Sequence, residues 1–297
     1  MRYDIRLSID YDYAAPSDHL RNLLRLVPRE AGAGLMGGQR LEACRLSLTP
    51  PPSERREGRD FFGNATTSVS WHQPVAGLSF ALAARVLRSP PADLADRSAP
   101  LCALGAEIAA AGSLAPEAPQ HFMGASPRVA PMPETTAFAR DCLAPGQSTL
   151  EAVQAIGRAL FAHMTFDAEA TEVDTPPREA FARGRGVCQD FAHIMIAALR
   201  GLGIPAGYVS GFLRTDPPPG APRLEGADAM HAWVRAWVGR EMGWVEFDPT
   251  NNQPAGVDYI TVALGRDYDD VAPVRGALRS AGGARTSQAV DVIPLPA

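Results

Sequence analysis

The sequence predicts an α+β fold, in which a small, mainly β unit leads into a core of helices and antiparallel strands. Three observations point there. Residues 3–13 alternate strictly, with Tyr3, Ile5, Leu7, Ile9, Tyr11 and Tyr13 on one face, the pattern of a half-buried strand. From Cys188 onward Phe191, Ile194, Met195, Ala198, Leu199 and Leu202 recur at three- and four-residue steps, one buried face of an amphipathic helix. After that helix the strand pattern returns over Ala206–Leu213, and two more strands, His231–Val238 and Trp244–Asp248, face each other across a Gly239–Gly243 turn.

Composition sets the outer limits. The chain has 297 residues, a formal net charge of −5 and 46% hydrophobic residues, enough for a sizeable core or two domains. Mild acidity and the lack of a basic stripe argue against nucleic-acid binding. The start, Met1-Arg2-Tyr3-Asp4-Ile5-Arg6, has no apolar segment of the kind a secretory signal needs, and no apolar run is long enough to span a bilayer. Cys44, Cys102, Cys142 and Cys188 are scattered, with no CxxC spacing for zinc. A cytoplasmic protein with no metal and no cofactor is therefore expected. No lysine occurs, and all 28 basic residues are arginine. Codon bias of a GC-rich genome accounts for this; it also means that an acyl-transferring enzyme could not cross-link itself through lysine.

Taken in order, Leu20 to Leu26 is a second apolar segment stopped by Pro28, and Leu41 to Leu48 partly alternates before Pro50-Pro51-Pro52. Asp60-Phe61-Phe62-Gly63-Asn64 reads as a hairpin turn. Thr66 to Trp71 and Leu78 to Leu87 are further strands, so residues 1–88 form a β domain. Residues 89–145 shift toward Pro, Ala and Ser and read as a connector with short helices, one near Leu101 to Ala110 and one near Glu134 to Cys142. Ser148-Thr149-Leu150-Glu151 is a capping-box pattern opening a helix through Met164. Thr175, followed by Pro176 and Pro177, caps a short helix that leads to the Gly184 loop. Residues 146–275 make the core, and 276–297 a C-terminal extension that adds a terminal strand.

The chemistry concentrates at Cys188. It sits in the first turn of its helix, where unpaired backbone N–H groups and the helix dipole favour an anion, so a thiol there is expected to ionise readily. The midpoint between His231 and Asp248 falls at Gly239-Arg240; a hairpin folding there sets the two side chains opposite or one diagonal step apart. A turn centred on Gly239 to Gly243 slides that register by a few residues. Cys on a helix N-terminus, His on a strand and Asp on the next meet the needs of nucleophilic catalysis: thiolate, proton carrier and orienting carboxylate.

At this point the chain resembles the transglutaminase-like superfamily, in particular its bacterial members described as predicted cysteine proteases. The resemblance rests on Gly186-Val187-Cys188-Gln189-Asp190-Phe191-Ala192-His193, Gly203-Ile204-Pro205-Ala206, Tyr208-Val209-Ser210-Gly211, His231-Ala232-Trp233 and Trp244 through Asn252. Gly265-Arg266-Asp267-Tyr268-Asp269-Asp270-Val271 with Pro273 adds to it, as do Gln39 and Phe62-Gly63-Asn64 in the front unit. It implies a papain-like core, a Cys188–His231–Asp248 triad, and thiol-dependent acyl transfer on peptide or glutamine-type amides. It also implies association with ATP-grasp or proteasome-like proteins. Family members often carry Arg where Gly207 stands, Ser where Met230 stands and His where Tyr259 stands.

The backbone N–H of Cys188 is the natural first donor to an oxyanion. Gln189 is a candidate second donor or a core-facing side chain. For Asp190 and His193, off the apolar face, supporting hydrogen bonds are favoured. Tyr208 and Trp233 are candidates for a substrate groove, as is the proline-rich loop between Leu213 and His231. Hydrolysis, with water as acyl acceptor, is the expected reaction; an amine acceptor, or a non-catalytic peptide-binding module, are the alternatives.

Overall fold

One long strand, β1 (Arg2–Leu24), is the spine of the front unit. Around it lie β2 (Ala31–Gly34), β3 (Gly37–Thr49), β4 (Glu54–Arg59), β5 (Ala65–Trp71) and β6 (Val75–Arg88). These are seen in a computed structural model that describes residues 1–34, 37–91, 95–215, 228–279 and 283–296. The first half of β1 buries Tyr3, Ile5, Leu7 and Ile9, the face the alternation marks. The strand is longer than the sequence suggests: the segment Leu20 to Leu26 does not start a new strand but continues β1 after a register shift between Asp12 and Ser17. β4 was not foreseen, because its Glu54–Arg59 sequence is charged and every residue is exposed. Its strand form comes from pairing with β5.

The chain then crosses through α1 (Leu104–Ala110) and α2 (Pro133–Asp141) to α3 (Thr149–His163). The Ser148 hydroxyl accepts from the Glu151 amide, and the Glu151 carboxylate accepts from the Ser148 amide, so the capping box forms as read. After the two-residue β7 (Thr165–Phe166) comes α4 (Pro177–Arg183). It begins one residue later than expected: Thr175 gives no cap and instead accepts from the Glu172 amide. Gly184 ends α4 at φ +65°, a left-handed conformation that favours glycine. β8 (Arg185–Gly186) leads into α5 (Cys188–Gly201), the central helix.

The core sheet holds β9 (Ala206–Leu213), β10 (Ala229–Trp237), β11 (Trp244–Asp248), β12 (Gln253–Pro254) and β13 (Tyr259–Gly265), in the order β12-β11-β10-β9-β13. Neighbours are antiparallel. α5 packs against β9 and β10 with α2, α3 and α4 around it, and from Asp190 to Leu199 it is buried on every side. That is why its hydrophobic pattern is broader than a single surface stripe. The short α6 (Tyr268–Val271) follows β13. β14 (Val274–Arg279) and β15 (Ala284–Leu295) then return to β1. β15 runs beside β1 from Tyr13 back to Arg2, so the front unit draws in strands from the far end of the chain. Among the described residues no helix is long and apolar enough to cross a membrane.

The front unit meets the core at β13, the edge strand of the core sheet. An edge strand offers unpaired backbone groups that must find partners when covered. Two side-chain amides supply them. Gln39 donates to the Thr261 carbonyl at 2.6 Å and accepts from the Thr261 amide at 2.9 Å. Asn64 does the same at Leu264, with both bonds at 2.8 Å. Both amides are buried, as two residues imitating a strand must be. Gln39→Ala would leave the buried Thr261 amide without its acceptor, while the Thr261 carbonyl keeps the Arg29 amide at 3.0 Å. The variant is expected to cost about 1–3 kcal/mol, read as a lower urea midpoint with unchanged slope. A loss below about 0.5 kcal/mol would mean that water replaces the amide.

Candidate active site

The loop before α5 is pinned from two sides. β7 pairs in parallel with β8, and the Asp167 amide continues the ladder by donating to the Gly186 carbonyl at 3.0 Å. On the other side Asp190 folds back to accept from the Val187 amide at 2.8 Å and from the Thr171 hydroxyl at 2.6 Å. Gly186 is required there: a Cβ would stand 2.5 Å from the Asp190 carboxylate oxygen. Asp190 is 1% exposed, and burial pushes its carboxyl up despite those two donors. The result is a fixed entry that presents Cys188 at the first helical position, partly open to solvent.

His231 arrives from β10. Val234 stands opposite Phe247 and Trp237 opposite Trp244, which centres the turn between Arg240 and Glu241. This is the slid register, not the one folding at Gly239-Arg240. Continued one residue, it sets Asp248 opposite Trp233, leaving His231 one diagonal step away. The side chains close that step: His231 Nε2 and Asp248 Oδ2 are 2.7 Å apart. With Nε2 engaged, Nδ1 is the ring nitrogen left for the Cys188 thiol, with which the ring also hydrogen-bonds. Cys188, His231 and Asp248 are thus in one connected row.

Asp248 is fully buried and held by five donors. Its Oδ1 accepts from the Thr250 and Asn251 amides at 2.8 and 3.2 Å, an Asx-type turn at the strand end. Its Oδ2 accepts from His231, from Asn251 Nδ2 at 2.7 Å and from the Tyr259 hydroxyl at 2.8 Å. Burial alone would raise the carboxyl; the His231 contact and these donors outweigh it and hold Asp248 below the usual carboxylate range. His231 shows the complementary balance. Burial lowers its pKa, but the hydrogen bonds to Asp248 and Cys188, reinforced by their charges, push it up to about 10. A thiol beside an imidazole so disposed can pass its proton to the ring and attack a carbonyl carbon.

The remaining candidate residues fall elsewhere. Gln189 turns outward and donates to the Val173 carbonyl at 2.9 Å. Asp190 braces the loop, its Oδ2 already taken by the Val187 amide and the Thr171 hydroxyl. His193 is 1% exposed and accepts the Tyr268 amide on Nε2 at 3.2 Å; burial, with Arg128 and Arg200 nearby, lowers its pKa to about 3 and keeps the ring neutral. Trp233 and Tyr208, expected to line a groove, are 0% and 2% exposed, so neither offers a surface to substrate. Trp233 instead donates to Glu246 at 2.7 Å, and Tyr208 packs on His193. The loop between Leu213 and His231 falls largely in 216–227, outside the described residues. Asn251 and Tyr259 were missed as partners of Asp248. Asn251 follows Asp248 in a turn that gives no sign of which side chain it serves, and Tyr259, eleven residues from Asp248 and on another strand, carries no local signal. Among the described residues no cluster of His, Cys, Asp and Glu is arranged to hold a metal.

The four cysteines provide a direct check. Cys44 and Cys102 are exposed, and burial pushes the Cys142 thiol up. Limited iodoacetamide at pH 6.5 is expected to label Cys188 at least about tenfold faster than the other three, read by peptide mass spectrometry. Equal labelling in the folded protein would count against a paired thiol.

Comparison with known proteins agrees with this architecture. Residues 136–249 match the transglutaminase-like superfamily, and residues 3–87 match the bacterial transglutaminase-like N-terminal region. Uncharacterized proteins of Mycobacterium tuberculosis and Mycobacterium bovis are each 34% identical over 264 residues, covering 86% of this chain and 82% of theirs. The crystal structure of a proposed cysteine protease from Cytophaga hutchinsonii superposes with a TM-score of 0.75 at 20% identity, over 100% of this chain and 91% of that one. That likeness is one of fold: a papain-like core behind an all-β front unit. With both regions matched in order and relatives aligned along most of its length, the chain belongs to the transglutaminase-like superfamily.

Proposed function

We propose that this protein is a cysteine protease or amidase, cleaving peptide or glutamine-type amides through an acyl-enzyme on Cys188. The observation that carries the reading is the connected row Cys188–His231–Asp248, with a buried carboxylate at one ring nitrogen of the imidazole and the thiol served by the other. In the first step the thiol proton passes to His231 and the sulfur adds to the amide carbonyl. The C–N bond then breaks, and His231 returns the proton to the leaving amine. Water attacks the thioester in the second step, with His231 accepting its proton and handing it back to the sulfur. The Cys188 backbone N–H, in the first turn of α5, is the first donor for the developing oxyanion. Gln189 is unavailable as a second donor while it is bonded to Val173.

The four free thiols support a reducing cytoplasm as the setting. The acyl acceptor separates hydrolysis from transamidation. Water reaches a partly open thioester without a binding site of its own, which favours hydrolysis.

Turnover of a panel of peptide amides and γ-glutamyl amides, with and without an added primary amine, tests the reading. Free acid as product supports hydrolysis; a new amide in its place identifies a transamidase. Cys188→Ala is expected to abolish turnover and His231→Ala to come close to doing so. Asp248→Ala should retain about 10- to 100-fold more activity than His231→Ala, because orienting residues cost less than reacting ones. Near-wild-type turnover by folded His231→Ala would overturn the assignment, and no turnover of any amide by wild type would leave a binding module.

A further inference from the structure

Tyr259 stands beside the proposed catalytic row and has no part in the reaction as written. It is 2% exposed, wedged between the His231 ring at 6.3 Å and the Trp233 ring at 5.2 Å. Its hydroxyl lies 2.8 Å from Asp248 Oδ2, the same oxygen that accepts from His231. An ionised carboxylate can only accept, so the single phenolic proton points at Oδ2. The phenol oxygen is then free to accept, and Gln253 Nε2 donates to it at 2.8 Å. The direction of each hydrogen bond in this chain is therefore fixed. Burial, with the Asp248 charge, holds the phenol protonated well beyond working pH.

The strand that carries Tyr259 is held from outside the core. β13 is paired on one side with β9, where Tyr259 faces Leu213 and Thr261 faces Gly211. On its other side the partners are Gln39 and the Arg29 amide at Thr261, two residues from Tyr259, and Asn64 at Leu264. Tyr3 of β1 adds a bond to Asp258, the residue before Tyr259, at 2.7 Å. Four residues of the front unit, Tyr3, Arg29, Gln39 and Asn64, thus converge on the segment that aims the Tyr259 hydroxyl.

We propose that Tyr259 is a positioning residue that holds Asp248 Oδ2 in line with His231, and that the front β unit keeps it there by clamping β13. This gives the N-terminal region a catalytic purpose without placing any of its residues in the site. It rests on the triad reading above. A carboxylate pinned at three points on one oxygen cannot swing when the ring changes charge, so the imidazole stays aligned through both proton transfers. The charged groups facing His231 are Cys188 from α5 and Asp248 from the end of β11, and the one facing Tyr259 is Asp248.

Tyr259→Phe keeps the ring and removes only the hydroxyl. It is expected to lower kcat about 5- to 50-fold with KM within about twofold. The basic limb of the rate profile should move to higher pH, because a carboxylate with one donor fewer holds the imidazolium more tightly. Gln39→Met should lower kcat in the same direction but less, and the double variant should fall no further than Tyr259→Phe alone, because both act through one contact. Iodoacetamide labelling of Cys188 against pH reads the same coupling without a substrate. If wild type turns over no amide, the proposed activity fails; a labelling profile still moved by Tyr259→Phe would then leave the positioning role standing. Wild-type kcat and unmoved profiles in Tyr259→Phe would overturn it. So would a kcat loss that merely tracks loss of folded protein, and additive losses in the double variant would remove the clamp.

Discussion

The 2.7 Å contact between His231 Nε2 and Asp248 Oδ2 is the constraint around which the core is arranged. A buried carboxylate is costly unless its oxygens are satisfied, and Asp248 is 0% exposed. The solution here uses the strand end itself: Thr250 and Asn251 turn back their amides, and Tyr259 reaches over from the far edge of the sheet. The hairpin register then matters, because a shift of one residue would send Asp248 to the opposite face. Asp248 can hold a single ring orientation only because four other donors already hold Asp248.

The same logic explains why the front unit is not an appendage. β13 would be an exposed edge in an isolated core. Gln39 and Asn64 cover it by presenting amides in place of a further strand, and each satisfies a backbone N–H and a backbone C=O at one residue. Closing the front unit with β15 further ties the chain's end to its beginning, so the core is bracketed by contacts of high sequence separation.

Much of this was legible in the sequence, for identifiable reasons. α5 and its nucleophile position show because helix periodicity and a glycine-rich entry are local signals. The capping box at Ser148 shows because it needs only four residues. His231 and Asp248 could be paired because a hairpin converts spacing into proximity, although the register itself depended on a turn whose centre spacing does not fix. What stayed hidden depends on distant partners. The charged β4 is a strand only because β5 is beside it. Tyr259 stood out as a departure from related sequences, yet its role needed the position of β13 relative to β11. Trp233 and Tyr208 read as groove residues from their place near the site, but aromatic side chains on a central strand are more often packing, and both are buried.

The account turns on His231 holding the proton taken from Cys188, as an imidazolium beside a buried carboxylate. Its folded pKa, pushed up to about 10, lies above the ordinary histidine value. The charged ring is therefore favoured in the folded protein, and that preference is lost as pH rises through the folded value. The most direct measurement is the ring nitrogen NMR spectrum of His231 in the wild-type protein and in Cys188→Ala from pH 5 to 11. The account predicts both wild-type nitrogens protonated at pH 8, with deprotonation near 10 and at lower pH in Cys188→Ala. A wild-type ring that titrates near 6.5, unchanged by removal of the thiol, would contradict it.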